Sequence, residues 1–157
     1  MLTVGIGEYA ISDDIEEIII THALGSCVAL IMHSPASKHT ALAHIVLPEI
    51  GSVERSRLIS DKPSYYANVI VPKLIEYFSK YSMNRNDIQI HLVGGADSLY
   101  KQDVFHVGAR NITMIKDILR DYNLMTYTTD VGGNVSRTVM VSVKDGEVNI
   151  KSQKMIL

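Results

Sequence analysis

Two apolar runs, Cys27-Val28-Ala29-Leu30-Ile31-Met32-His33 and Ala41-Leu42-Ala43-His44-Ile45-Val46-Leu47, are separated by Ser34-Pro35-Ala36-Ser37-Lys38-His39-Thr40. Both runs have strand length, and the segment between them is polar and carries a proline. The pair therefore predicts an antiparallel hairpin closing near Pro35 to Ser37. Side chains of one face alternate along a strand, so His44 and Val46 share a face with Cys27 when paired positions sum to 71 or 73. In the first register Cys27 and His44 are directly opposed, with Cβ atoms about 4.5–5.5 Å apart.

Cys27 is the only cysteine of the chain and follows the turn residues Gly25 and Ser26. A lone thiol is by default a small buried hydrophobe. Beside an imidazole it becomes a nucleophile, because the ring takes its proton and can later hand that proton to a leaving ammonia or alcohol. Thr21 ends the β-branched run Ile18-Ile19-Ile20. It reads either as an ordinary strand threonine or as a group that orients the imidazole of His44 through its hydroxyl or its carbonyl.

Composition narrows the remaining possibilities. At 157 residues the chain is expected to be one domain over 1–157, long enough to bury roughly two thirds of its unfolded surface. A hydrophobic fraction of 46% and a charged fraction of 20% exclude disorder as the main state. A net charge of −2 without any Lys/Arg cluster offers nucleic acid no electrostatic footprint. No apolar segment approaches the roughly 20 residues of a membrane span, and one cysteine precludes an internal disulfide. No direct membrane insertion and a reducing, cytoplasmic location are expected. His22, Cys27, His33, His39 and His44 are close in sequence, but no C-x-x-C or H-x-x-x-H pair occurs, and there is no phosphate or dinucleotide fingerprint. Neither a metal nor a cofactor is expected.

Strands are predicted over Thr3–Gly7, Glu17–Thr21, Cys27–His33 and Ala41–Leu47, as an antiparallel meander, followed by a surface loop over Pro48–Lys62. Tyr66, Ile70, Leu74, Tyr77, Phe78 and Tyr81 recur at helical spacing within Ser64–Tyr81, where Pro72 should kink the helix or divide it. Ile88–Val93 reads as a strand with His91 facing solvent, ending at Gly94-Gly95-Ala96. A second helix is expected from about Arg110 to Tyr122, burying Ile112, Ile115, Leu119 and Tyr122. Strands Met125–Asp130, Arg137–Val143 and Glu147–Ile150 complete the chain, the last two joined by Lys144-Asp145-Gly146. The order suggests an α+β fold with sheets packed together and both helices on one outer face.

The string Thr21-His22-Ala23-Leu24-Gly25-Ser26-Cys27-Val28-Ala29 followed by Ala43-His44-Ile45-Val46-Leu47-Pro48 resembles the CheD family, the bacterial chemoreceptor glutamine deamidases. Gly5-Ile6-Gly7-Glu8-Tyr9, Gly94-Gly95-Ala96, Gly108-Ala109-Arg110-Asn111 and Asp130-Val131-Gly132-Gly133 with Arg137 match it in order. The resemblance implies a layered α/β/β sandwich with two helices on mixed, largely antiparallel sheets. It implies Cys27 as nucleophile, His44 as general base and Thr21 as the third member of a triad.

On that resemblance the substrate is a glutamine side chain of a methyl-accepting chemotaxis receptor, converted to glutamate through a thioester. The turn at Gly25 and Ser26 is expected to form the substrate and oxyanion region. Hydrolysis of receptor glutamyl methyl esters is an implied second activity. A chemotaxis phosphatase of the CheC type is an implied partner, and docking of it through the same pocket is the alternative to catalysis. One departure lies at Tyr65-Tyr66-Ala67-Asn68, where the family tends to have Lys-Tyr-x-Asp and Asn68 lacks the carboxylate to cap or to contact a partner.

Overall fold

The computed structural model describes residues 1–51, 62–81, 87–97 and 105–155, and among them nine strands and two helices are found. In chain order these are β1 (Leu2–Thr3), β2 (Tyr9–Ser12), β3 (Ile18–Leu24), β4 (Val28–His33), β5 (Thr40–Ile45), α1 (Ala67–Ser79), β6 (Gln89–Gly94), α2 (Val107–Asp121), β7 (Thr128–Val131), β8 (Val135–Ser142) and β9 (Val148–Lys154). They form a four-stranded sheet, β1-β3-β8-β9, and a five-stranded sheet, β2-β5-β4-β6-β7. Pairing is antiparallel except at β1 with β3 and β6 with β7.

Strand alternation decides the layers. Val28, Leu30 and Met32 of β4 join Ala41, Ala43 and Ile45 of β5 in one core with Ile70, Leu74 and Phe78 of α1 and Ile115 and Leu119 of α2. The opposite parity, Ala29 and Ile31 of β4 with Leu42 of β5, packs on Ile19 of β3 and on Val139 and Val141 of β8. The five-stranded sheet is thus covered on both faces, which is why β4 and β5 read as unbroken apolar runs. Helices, five-stranded sheet and four-stranded sheet stack in that order, the expected α/β/β sandwich.

The first third is not the predicted meander. A register shift between Thr21 and Leu24, with Ala23 at φ 55°, ends β3. The Gly25-Ser26 turn then carries the chain into the other sheet. The strand expected over Thr3–Gly7 shrinks to β1, and β2 forms beyond Gly7 as an edge strand against β5. The chain stays one helix through Pro72, so the division into two is discarded. Its missing N–H leaves only the Asn68 carbonyl of the helix ladder without its donor. Helix α2 begins at Val107, earlier than predicted; Ile115 and Leu119 are buried, while Ile112 and Tyr122 pack at its margin. The Asp145-Gly146 turn forms as expected, with Gly146 at φ 72° and its N–H donating to the Ser142 carbonyl at 2.8 Å. Of the loop expected over Pro48–Lys62, residues 52–61 lie outside the described residues. Among the described residues no helix is long and apolar enough to cross a membrane.

Asn68 has an internal task. Its Oδ1 accepts from the Ile50 N–H at 3.1 Å and its Nδ2 donates to the Ile50 carbonyl at 3.3 Å. An amide satisfies both backbone groups of Ile50, whereas an ionised aspartate can only accept.

Candidate active site

Three strands bring the candidate residues to one end of the layer between the sheets. Ile19, Leu42 and Ala29 face that layer, and Cys27 packs against it. Thr21 and His44, two residues further along their strands, keep the same parity. Thr21 is fully buried and His44 is 2% exposed, whereas Cys27 is half-buried. Val28 pairs with Ile45 and Ala29 with His44, so paired positions sum to 73, the second of the two registers. Cys27, just outside β4, is therefore diagonal to His44 rather than opposite it, a relation with Cα separations of about 7–8 Å.

The hydrogen bonds of Thr21 determine the tautomer of His44. Thr21 Oγ1 lies 2.7 Å from the Val4 carbonyl and 2.7 Å from His44 Nδ1. A carbonyl only accepts, so the single hydroxyl proton goes to Val4 and the hydroxyl oxygen accepts from Nδ1–H. The proton on Nδ1 leaves Nε2 as the ring's free lone pair. Thr21 thus bonds the ring through its hydroxyl, an arrangement that leaves Nε2 unprotonated.

Burial pushes the Cys27 thiol above the usual thiol range and the His44 imidazole below its usual range. Both shifts disfavour the charged form of the group concerned.

The turn before β4 is held by its carbonyls. Ala96 N–H donates to the Gly25 carbonyl at 2.9 Å and Gly95 N–H to the Cys27 carbonyl at 2.8 Å. Between them, the Ser26 carbonyl takes Nδ2 of Asn111 at 3.0 Å, and the same Nδ2 donates to the Val46 carbonyl at 3.0 Å. Among the described residues the N–H groups of Ser26 and Cys27 have no backbone acceptor. Gly25 and Ser26, expected at the oxyanion region, lie in this turn.

The sequence reading gave no role to Asn111, which is fully buried on α2. The signal was present, because Asn111 shares the buried stripe of Gly108, Ile115 and Leu119. Close approach explains the glycine-rich partner segment: a Cβ on Gly94 would lie 2.3 Å from the Cys27 carbonyl oxygen. Arg137, 5% exposed, braces the segment from the other sheet, with Nε donating to Asp130 Oδ1 at 3.1 Å and a longer contact to the Gly94 carbonyl. The other histidines scatter. His33 bonds Thr40, and His39 stacks on Tyr81 with ring centroids 4.0 Å apart. His91 is not solvent-facing: it is half-buried, bonded to Thr128, with Nε2 closed off.

Residues 46–152 match the family model described as CheD chemotactic sensory transduction. The chain is 34% identical to the chemoreceptor glutamine deamidase CheD of Thermotoga maritima over 94% of its own length and 89% of that protein. It is 36% identical to a probable chemoreceptor glutamine deamidase CheD of Syntrophotalea carbinolica, covering 95% and 92% of the two chains. A similarly named protein of Methanococcus vannielii is 37% identical, over 82% and 80%.

Proposed function

The chain belongs to the CheD family, and from that premise we propose that it hydrolyses glutamine side chains of chemotaxis receptors to glutamate, with Cys27 as nucleophile, His44 as general base and Thr21 as the group that positions the ring. The observation that carries the reading is the bond between Thr21 Oγ1 and His44 Nδ1, which leaves Nε2 free on the face that Cys27 shares. Nε2 takes the thiol proton as Sγ attacks the carboxamide carbon. The amide oxygen becomes an oxyanion, received by the N–H groups of Ser26 and Cys27. The imidazolium returns its proton to the departing amine, and ammonia leaves a thioester. Water, deprotonated by the same Nε2, cleaves the thioester to glutamate, and the thiol is restored. A glutamyl methyl ester passes through the same thioester with methanol as leaving group, which accounts for an esterase side activity. The site of action is the cytoplasm, where such receptors carry their signalling domains.

Mass spectrometry of a receptor cytoplasmic domain from the same organism, before and after incubation with the protein, tests the reading. Gln-to-Glu conversion at defined positions is expected. No conversion would transfer the pocket to the competing use, docking of a CheC-type phosphatase.

The active form has an unprotonated ring and a protonated thiol, so its pH limits follow from the two shifts. The acid limb of kcat/KM is expected below the ordinary imidazole range, because burial keeps His44 unprotonated to lower pH. Alkylation of Cys27 by iodoacetamide is expected to keep rising through and beyond the ordinary thiol range, because burial holds the thiol protonated. A rate already flat across neutral pH would indicate a preformed thiolate and refute the neutral pair.

Thr21→Val keeps the shape of the side chain and removes both its bonds. A buried partner lost in this way costs about 1–3 kcal/mol, so kcat should fall about 10–100-fold while KM for the receptor domain is unchanged. An unchanged kcat would return Thr21 to the role of a strand threonine.

A further inference from the structure

We propose that Asn111 is a positioning residue for the reaction, aiming the Cys27 N–H at the oxyanion; this rests on the reading of Cys27 as nucleophile. In a trans peptide the carbonyl of one residue and the N–H of the next point in opposite directions in one plane. Whatever grips the Ser26 carbonyl therefore sets the direction of the Cys27 N–H, and that grip is Asn111 Nδ2 at 3.0 Å. By the same geometry Ala96, which donates to the Gly25 carbonyl at 2.9 Å, sets the direction of the Ser26 N–H. Two amide donors at successive residues, without a backbone acceptor among the described residues, are thereby directed away from the groups that grip the carbonyls. The second hydrogen of Nδ2 holds the Val46 carbonyl, two residues beyond His44. One side chain thus ties the turn that carries the nucleophile to the strand end that carries the base.

The orientation of the amide is unambiguous, because both partners are carbonyl oxygens and require donors. Its own oxygen, Oδ1, is buried without a partner among the described residues. Such an oxygen is a stability cost that a leucine of similar size would avoid. What the amide supplies in exchange is the pair of donors, and both are spent on the site.

The test compares two reactions of the same thiol. Deamidation passes through a tetrahedral oxyanion; displacement of iodide from iodoacetamide does not, and Cys27 is the only thiol to label. Asn111→Leu and Asn111→Ala are assayed beside the wild type and Cys27→Ala, below the onset of thermal unfolding. Both Asn111 variants are expected to lose about 10–100-fold in kcat on the receptor domain, a misaimed donor costing less than a deleted one, with KM and the alkylation rate unchanged. Parallel losses in both reactions, or failure of both variants to fold, would show a merely structural residue and overturn the proposal. Wild-type deamidation by the variants, with Cys27→Ala inactive, would refute this inference alone. Conversion by Cys27→Ala would instead refute the reading of the site.

Discussion

Cys27→Ala is expected to convert no receptor glutamine, a loss of about 10⁵-fold or more, since a missing nucleophile removes the covalent route altogether. The fold should not suffer to match: the side chain is half-buried at the margin of the layer between the sheets, and only one sulfur is removed. Cys27→Ser is the sharper variant. A hydroxyl releases its proton far less readily than a thiol, and the ring beside it is a weak base, held below its usual range by burial. Serine should therefore rescue little, and mass spectrometry of the receptor domain with an unchanged circular dichroism spectrum checks both points. Conversion by either variant near the wild-type rate would exclude the thioester route.

Gly108→Ala is expected to damage the fold and the reaction together. Gly108 lies in the first turn of α2, where a Cβ would sit 2.4 Å from the Ala96 carbonyl oxygen and 2.6 Å from that of Gly95. Both obstacles are backbone, so no side chain can swing aside, and the helix must move. Overpacking of this kind costs on the order of 3 kcal/mol, which for a chain of this length lowers the melting temperature by about 6–12 °C. The displaced helix carries Asn111 with it, and deamidation should fall with it. Gly25→Ala is the matched control, because a Cβ there meets nothing within 4 Å and the melting temperature should hold. A Gly108→Ala protein melting with the wild type would show that α2 can shift without cost.

The hairpin of β4 and β5 was legible because both runs are apolar on both faces, a pattern that burial between two layers demands. That Cys27 and His44 are neighbours was legible from one face of that hairpin, but the choice between the two registers was not, since the loop length fits either. The split into two sheets was hidden. It depends on a bulge after Thr21 and on Ala23 in a left-handed conformation, a backbone choice that alanine does not advertise. Strand β2 was missed for a different reason: all four of its residues are only half-buried, so no alternation marks Tyr9–Ser12. The parallel pair of β1 with β3 leaves no trace in local pattern, because its partners lie seventeen residues apart, as in Leu2 with Ile19. Thr21 reads identically as a strand residue or an orienting group until His44 is placed beside it. Asn111 was the avoidable omission, a polar residue on an otherwise apolar helical stripe.

The supports of the Gly25-Ser26-Cys27 turn arrive late in the chain. Thr21, Cys27 and His44 have all been synthesised by the end of β5, yet the groups that hold the three carbonyls of the turn belong to Gly95, Ala96 and Asn111. A nascent chain that has reached β5 therefore contains the three residues of the proposed triad with none of the grips that orient the amides of the turn. Their assembly waits for contacts of high sequence separation, among the slowest to form in folding. On this reading competence appears abruptly when α2 docks, and a growing chain cannot act on receptors before its own fold is closed.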